Sequence, residues 1–196
     1  MAKSETVIIK NGIAEYPALA NADYKFDAEL GTYKCNIKLP YDDAKRYMAQ
    51  IAEIYKEHTG KPASLSKSVK GLWSFEEDED GENTGDVIFK ISVKNKKKKD
   101  GSLWDRKPFL MDANTDPVAL GVEPSGGSVL TVKAEIYCWE YQSSKGVSLQ
   151  PVAVQILKLV QRSNGADASG FEKSEGFTSP QNDTPQQDVS GDDGDY

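Results

Sequence analysis

Apolar and polar residues alternate with period two over much of residues 1–162, as strands do when they bury one face and wet the other. In Thr32 to Leu39, Tyr33, Cys35, Ile37 and Leu39 fall on one side and Thr32, Lys34, Asn36 and Lys38 on the other. Asp86 to Lys94 repeats the pattern, with Val87, Phe89, Ile91 and Val93 inward and Ile88, Lys90, Ser92 and Lys94 outward. The longest candidate, Val129 to Tyr141, opens after Gly126-Gly127-Ser128. It sets Leu130, Val132, Ala134, Ile136 and Cys138 against Thr131, Lys133, Glu135, Tyr137, Trp139 and Tyr141. Val7 to Ile9 reads as a short strand, and Val147 to Val160 as a last one in which Pro151 implies an edge or a bulge.

One stretch changes period. Tyr47, Met48, Ile51, Ile54 and Tyr55 form a helical stripe running to about Glu57, with Asp42 or Asp43 as the expected cap after Pro40 and Gly60 and Pro62 as the stop. Lys96 to Lys99 followed by Asp100-Gly101 predicts a turn that returns the chain through Leu103 to Met111, a hairpin with a basic tip. Leu72, Trp73 and Phe75 precede an acidic run, Glu76 to Glu82, which Gly81 and Gly85 make a loop. About six strands, one main α-helix and no β-α-β alternation predict a mainly β, OB-fold-like small barrel, closed or partly open.

Charge divides the chain in two. Residues 163–196 hold eight acids and one base and so carry the whole net charge of −7, whereas residues 1–162 are balanced. Their Ser, Gly, Pro, Gln and Asp content predicts a disordered acidic C-terminal tail after a single domain at 1–162. Residues 76–86 contain seven acids and no base, so the rest of the body stands at +7. A surface that basic suits a polyanion bound with marked salt dependence, and a tethered acidic tail would compete for it.

Several classes of chemistry are excluded. The chain has no apolar run long enough to span a bilayer and no secretory signal at its start, so it reads as soluble and intracellular. Cys35 and Cys138 fall at apolar-facing strand positions and read as reduced core thiols. With His58 alone in a last helical turn, they cannot make a zinc site. No nucleophile elbow or P-loop occurs, and Asp78-Glu79-Asp80-Gly81 fails the helix-loop-helix calcium spacing. The expectation is a protein that is not an enzyme and needs no cofactor or metal; an enzyme holding a divalent metal on the 76–82 loop is a remaining alternative.

Aromatic residues on a polar face supply the candidate site. Tyr137, Trp139 and Tyr141 lie at i, i+2 and i+4 beside Lys133, so one strand face would present all three to solvent. Trp104 and Arg106 share a face of the expected hairpin, near Lys94, Lys96, Lys97 and Lys107; Lys34, Lys38, Trp73 and Phe75 complete the set. Unpaired bases stack on flat rings for roughly 1–3 kcal/mol each while lysines and arginines track phosphates. The same face would also serve a protein-interaction adaptor, since exposed aromatic patches mark protein interfaces.

The order of these motifs resembles the single-stranded DNA-binding proteins of short-tailed coliphages and their phage relatives. The resemblance rests on Gly31-Thr32-Tyr33-Lys34-Cys35-Asn36-Ile37-Lys38-Leu39-Pro40 before a helix, and on Val87 to Lys94 entering a lysine-rich turn. Gly126-Gly127-Ser128 opening a strand that ends in aromatics, and the terminus Asp192-Asp193-Gly194-Asp195-Tyr196, complete it. It implies an OB-fold homodimer that coats single-stranded DNA during phage replication, recombination and repair in the cytoplasm of an infected bacterial host. By the same resemblance Asp192, Asp193, Asp195 and Tyr196 would dock the replicative DNA polymerase and the helicase-primase, and the tail would fill the DNA cleft when DNA is absent. Two departures touch the docking end: the last residue is Tyr where the best-known members have Phe, and Gln181 to Gln187 dilute the acids. The acidic loop at 76–82 has no counterpart in the family pattern.

Overall fold

The computed structural model describes residues 5–161. Their elements are β1 (Glu5–Asp23), β2 (Thr32–Pro40), α1 (Tyr41–Thr59), β3 (Trp73–Glu77), β4 (Asn83–Lys94), β5 (Lys96–Lys97), β6 (Leu103–Trp104), β7 (Phe109–Met111), β8 (Val129–Tyr141) and β9 (Ser144–Lys158). Strands pair in the order β4-β2-β1-β8-β9, and β4 meets β9 at Ile91 and Leu149, so five strands close a ring. β3 extends the sheet along β4 and β7 along β9, while β5 and β6 form a separate two-stranded sheet. This is the mainly β, OB-like barrel that the alternation predicts.

Inside the ring lie Ile37 of β2, Phe89 and Ile91 of β4, and Leu130 and Val132 of β8, inward as their period dictates, together with Ile9 of β1 and Leu149 of β9. α1 packs on all five barrel strands through Ala44, Tyr47, Met48 and Ile51. The Tyr47 hydroxyl accepts the Lys10 amide at 3.2 Å and its ring meets Phe89 edge-on at 6.3 Å. At the helix start the expected Asp42 or Asp43 cap is corrected. Pro40 occupies the N-cap without a side-chain hydrogen bond, and both aspartates sit in the first turn, where the helix dipole favours them. Gly60, at φ 72°, takes the left-handed end, and its amide bonds the Lys56 carbonyl at 2.9 Å.

β1 is far longer than Val7 to Ile9. Val7 and Ile9 face inward, then Gly12 and Ala14, then Leu19: the inward phase changes twice, at register shifts containing Asn11 (φ 56°) and Tyr16 (φ 49°). Each bulge inserts one residue and flips the following side chains to the other face. Between Ala18 and Asp23 the pairing with β2 lapses. There Glu123 takes over: its carboxylate accepts the amides of Leu19, Ala20 and Asn21 at 2.7–3.1 Å and the Asn21 side-chain amide at 3.2 Å.

Two further expectations change. The acidic run is a hairpin: Glu76 and Glu77 belong to β3, and Asp78 closes the tip by accepting the amides of Asp80 (3.0 Å) and Glu82 (2.9 Å). The basic hairpin ends at Trp104, because β7 leaves it to pair in parallel with β9. The inward phase of β9 switches from Val147 and Leu149 to Val154 and Ile156 across the exposed Val152, which places the bulge expected at Pro151. Cys35 is buried, and burial pushes its thiol up to about 12, whereas Cys138 is exposed and not a core residue as expected. Its strand has run past the barrel by that point.

Glu123→Ala should lower stability by about 2 kcal/mol, because three backbone donors lose a charged acceptor; urea unfolding of the full chain measures it.

Candidate functional site

Register places the basic residues of β2 and β4 on one outward face. Its rows across the sheet are Ile13, Lys38, Ile88 and Ser74; Glu15, Asn36 and Lys90; Ala18, Lys34 and Ser92; Asp23, Thr32 and Lys94. Part of this face is the floor of an open groove of about 1230 Å³, walled by the bulge of β1 at Tyr16, by Lys25 and by the strap Glu123 to Gly127.

Carboxylates of the body hold most of these lysines. Lys38 lies 2.9 Å from Glu76 and 3.3 Å from Glu15, Lys34 pairs with Asp23, Lys94 with Asp27, and Lys97 with Glu29 at 2.6 Å. The Lys38 ammonium, helped by the Thr84 hydroxyl, lowers Glu76 below the ordinary carboxylate range. Lys34, helped by the Lys25 amide, does the same for Asp23. Lys25 and Lys90 have no carboxylate within 4.0 Å among the described residues. The face is therefore largely self-neutralised.

β4 leads from this face into the small hairpin. Buried Asn95 bonds the Gly31 carbonyl through its amide (3.2 Å) and accepts the Arg106 amide through its side chain (2.8 Å). Arg106 lies 5.5 Å from the Trp104 ring and donates to Gln150 on β9. Lys96 lies 5.9 Å from the Tyr137 ring. The structure thus brings Trp104, Tyr137, Lys96 and Arg106 together, with Arg106 beyond β6. Trp104 is 51% exposed and Tyr141 69%, so both rings have free surface to stack on.

Other expected contacts do not survive. Trp73 is a core residue, 1% exposed, with its indole N–H given to the Lys67 carbonyl, so no base can reach its ring. Phe75 packs against Tyr41 at 6.0 Å on the rim of the core. Trp139 is only half exposed, contrary to the expectation for its face. A Cβ on Gly146 would lie 2.2 Å from its ring, so one side of the indole is covered by that glycine across the β8–β9 hairpin. Lys107 lines a separate small pocket with Phe109 and Leu120, and Lys133 sits in a row between Ile8 and Ala153, away from the groove. Asp192, Asp193, Asp195 and Tyr196 lie outside the described residues. Sequence reasoning missed Tyr16, Lys25 and Lys90 as groove residues. Lys90 carried a signal, its outward phase on β4; Tyr16 sits where a bulge erases the period, and Lys25 lies in the bend after β1.

No protein-family model matches the chain, and no curated protein matches it by sequence. Solved structures do. The fold is that of phage single-stranded DNA-binding proteins. Gp2.5, a single-stranded DNA-binding protein encoded by bacteriophage T7, superposes with a TM-score of 0.64 at 18% identity, covering 90% of this chain and 100% of that one. The single-stranded DNA-binding protein of bacteriophage Enc34, in complex with single-stranded DNA, gives 0.57 at 15% identity, over 81% of this chain and 89% of that one.

The Lys94 ammonium, then the Leu30 and Glu29 amides, hold Asp27 down at about 2. Its pairing is complete above the ordinary value of 3.8 and is lost as pH falls through about 2. An NMR titration should place the Asp27 carboxyl near 2, and Lys94→Ala should move it up toward 3.8.

Proposed function

We propose that this chain is a non-enzymatic single-stranded DNA-binding protein of a phage, with residues 1–162 as the binding domain. The observation that carries the reading is the continuous basic and aromatic track on the barrel: Lys38, Lys34, Lys90 and Lys94 along β2 and β4, then Arg106 with Trp104 and Lys96 with Tyr137. Lysines at strand spacing suit a phosphate backbone, and exposed rings suit unpaired bases. A structural neighbour solved in complex with single-stranded DNA supports the same ligand class.

Within this reading the strand displaces Asp23, Glu15, Glu76 and Asp27 from their lysines, so DNA replaces internal acids instead of filling an empty cationic surface. The acidic segment 163–196 is proposed to compete for the track when DNA is absent. Once released, its end at Asp192 to Tyr196 would recruit replication proteins such as the polymerase and helicase-primase. The described residues after β9 lie beside this groove: the Val160 carbonyl accepts the Ser125 amide at 2.8 Å, and Ser125 lines the groove. The proposed setting is replication, recombination and repair of phage DNA in the host cytoplasm, with the protein as a homodimer.

Fluorescence anisotropy with a labelled oligo-dT should show binding at micromolar protein in low salt, a loss of affinity as salt rises, and weaker binding to a duplex of equal length. Trp104→Ala should cost about 1–3 kcal/mol, and removal of residues 163–196 should tighten binding. No anisotropy change at micromolar protein in low salt would sink the reading.

A further inference from the structure

Tyr16 stands on a bulge that barrel closure explains, but it carries a ring there that packing does not explain. Its φ of 49° lies in the left-handed region, which costs an aromatic residue roughly 1–2 kcal/mol and which glycine or asparagine enters far more easily. Pro17 follows, and a proline biases the preceding residue toward extended backbone, which adds to the constraint. A side chain kept under such strain is usually held by contacts. Here the ring is 79% exposed and has no hydrogen-bond or ring partner among the described residues.

Besides switching the inward phase of β1, the bulge sets the ring on the wall of the groove. The floor beside it carries Ile13 and Ile88 on either side of Lys38, two aliphatic side chains flanking a cation. Lys25 and Lys90, which have no carboxylate within 4.0 Å among the described residues, line the same groove. A flat free ring, an apolar floor and ammonium groups match an unstacked base joined to its phosphates. They do not match a duplex, whose bases are stacked inside. Glycine would make the same bulge at lower cost, so an exposed aromatic residue in its place is a reason to suspect function.

We propose that Tyr16 is a base-stacking residue, and that the groove between the β1 bulge and the β2–β4 face is a binding station for single-stranded DNA distinct from the Trp104–Tyr137 end of the track. The proposal rests on the single-stranded DNA reading and adds a station that the β8 aromatics do not supply. It also separates binding from folding, because the residue that suits the backbone best is not the one that serves the ligand.

Tyr16→Gly removes the ring and relieves the backbone at once. Its melting temperature should equal or exceed that of the parent, while its affinity for oligo-dT falls on the order of tenfold; Tyr16→Phe should bind like the parent. In parallel, an oligonucleotide carrying 5-bromodeoxyuridine should photo-crosslink to the tryptic peptide containing Tyr16. Unchanged affinity in Tyr16→Gly while the parent binds overturns the station and leaves the wider reading standing. A drop in its melting temperature also overturns it, by making the ring structural. A parent that fails to bind brings down both.

Discussion

Five strands close into a ring only if the long ones bend, and in this chain the bending is done by bulges at Asn11, Tyr16 and Val152. Each adds a residue to one strand and increases its twist. Because the side-chain period is two, each also exchanges the inward and outward sets beyond it. β1 can therefore pair with β8 over its first half and with β2 over its second and still keep Val7, Ala14 and Leu19 in one core. Where the second bulge leaves amides without a strand partner, Glu123 supplies a carboxylate in place of carbonyls. The groove wall is thus a by-product of barrel closure, and the strap that completes it is held by the Glu123 carboxylate and by backbone bonds from Ser125 to Val160 and from Gly127 to Ala14.

On the outer face the governing quantity is charge balance. Lys34, Lys38 and Lys94 project from alternating positions as any half-buried strand would have them, yet each meets an acid from a neighbouring element. Glu76 reaches Lys38 from the acidic hairpin, which gives that hairpin a role beyond solubility: it neutralises a groove lysine from the sheet edge. Exposed ion pairs of this kind contribute little to stability and are screened by salt, so a multivalent anion can replace them at small cost.

Likeness to the phage proteins at 15–18% identity with TM-scores of 0.57–0.64 has the same physical origin. What the likeness shows is the fold alone, and a fold tolerates wholesale exchange of apolar residues when volume and patterning are kept. Outward residues face no such constraint, so the site has to be read from this chain's own rings and lysines.

Period two along β2, β4 and β8, a single helical stripe and the acidic segment after 162 were enough to predict a mainly β barrel, its principal core faces and a basic, aromatic surface. Those features are local: alternation and charge are properties of neighbours along the chain. Trp73 shows the limit, for an indole beside an acidic run looks available until β3 is seen to lie against β4 with that ring inside. Trp139 and Cys138 show it again, since a strand that outruns its barrel no longer has an inside and an outside defined by its period. Tyr16 lay in a segment whose alternation two bulges had erased. Bulges, register and the pairing of lysines with distant acids arise from contacts far apart in sequence, and only the closed tertiary structure decides them.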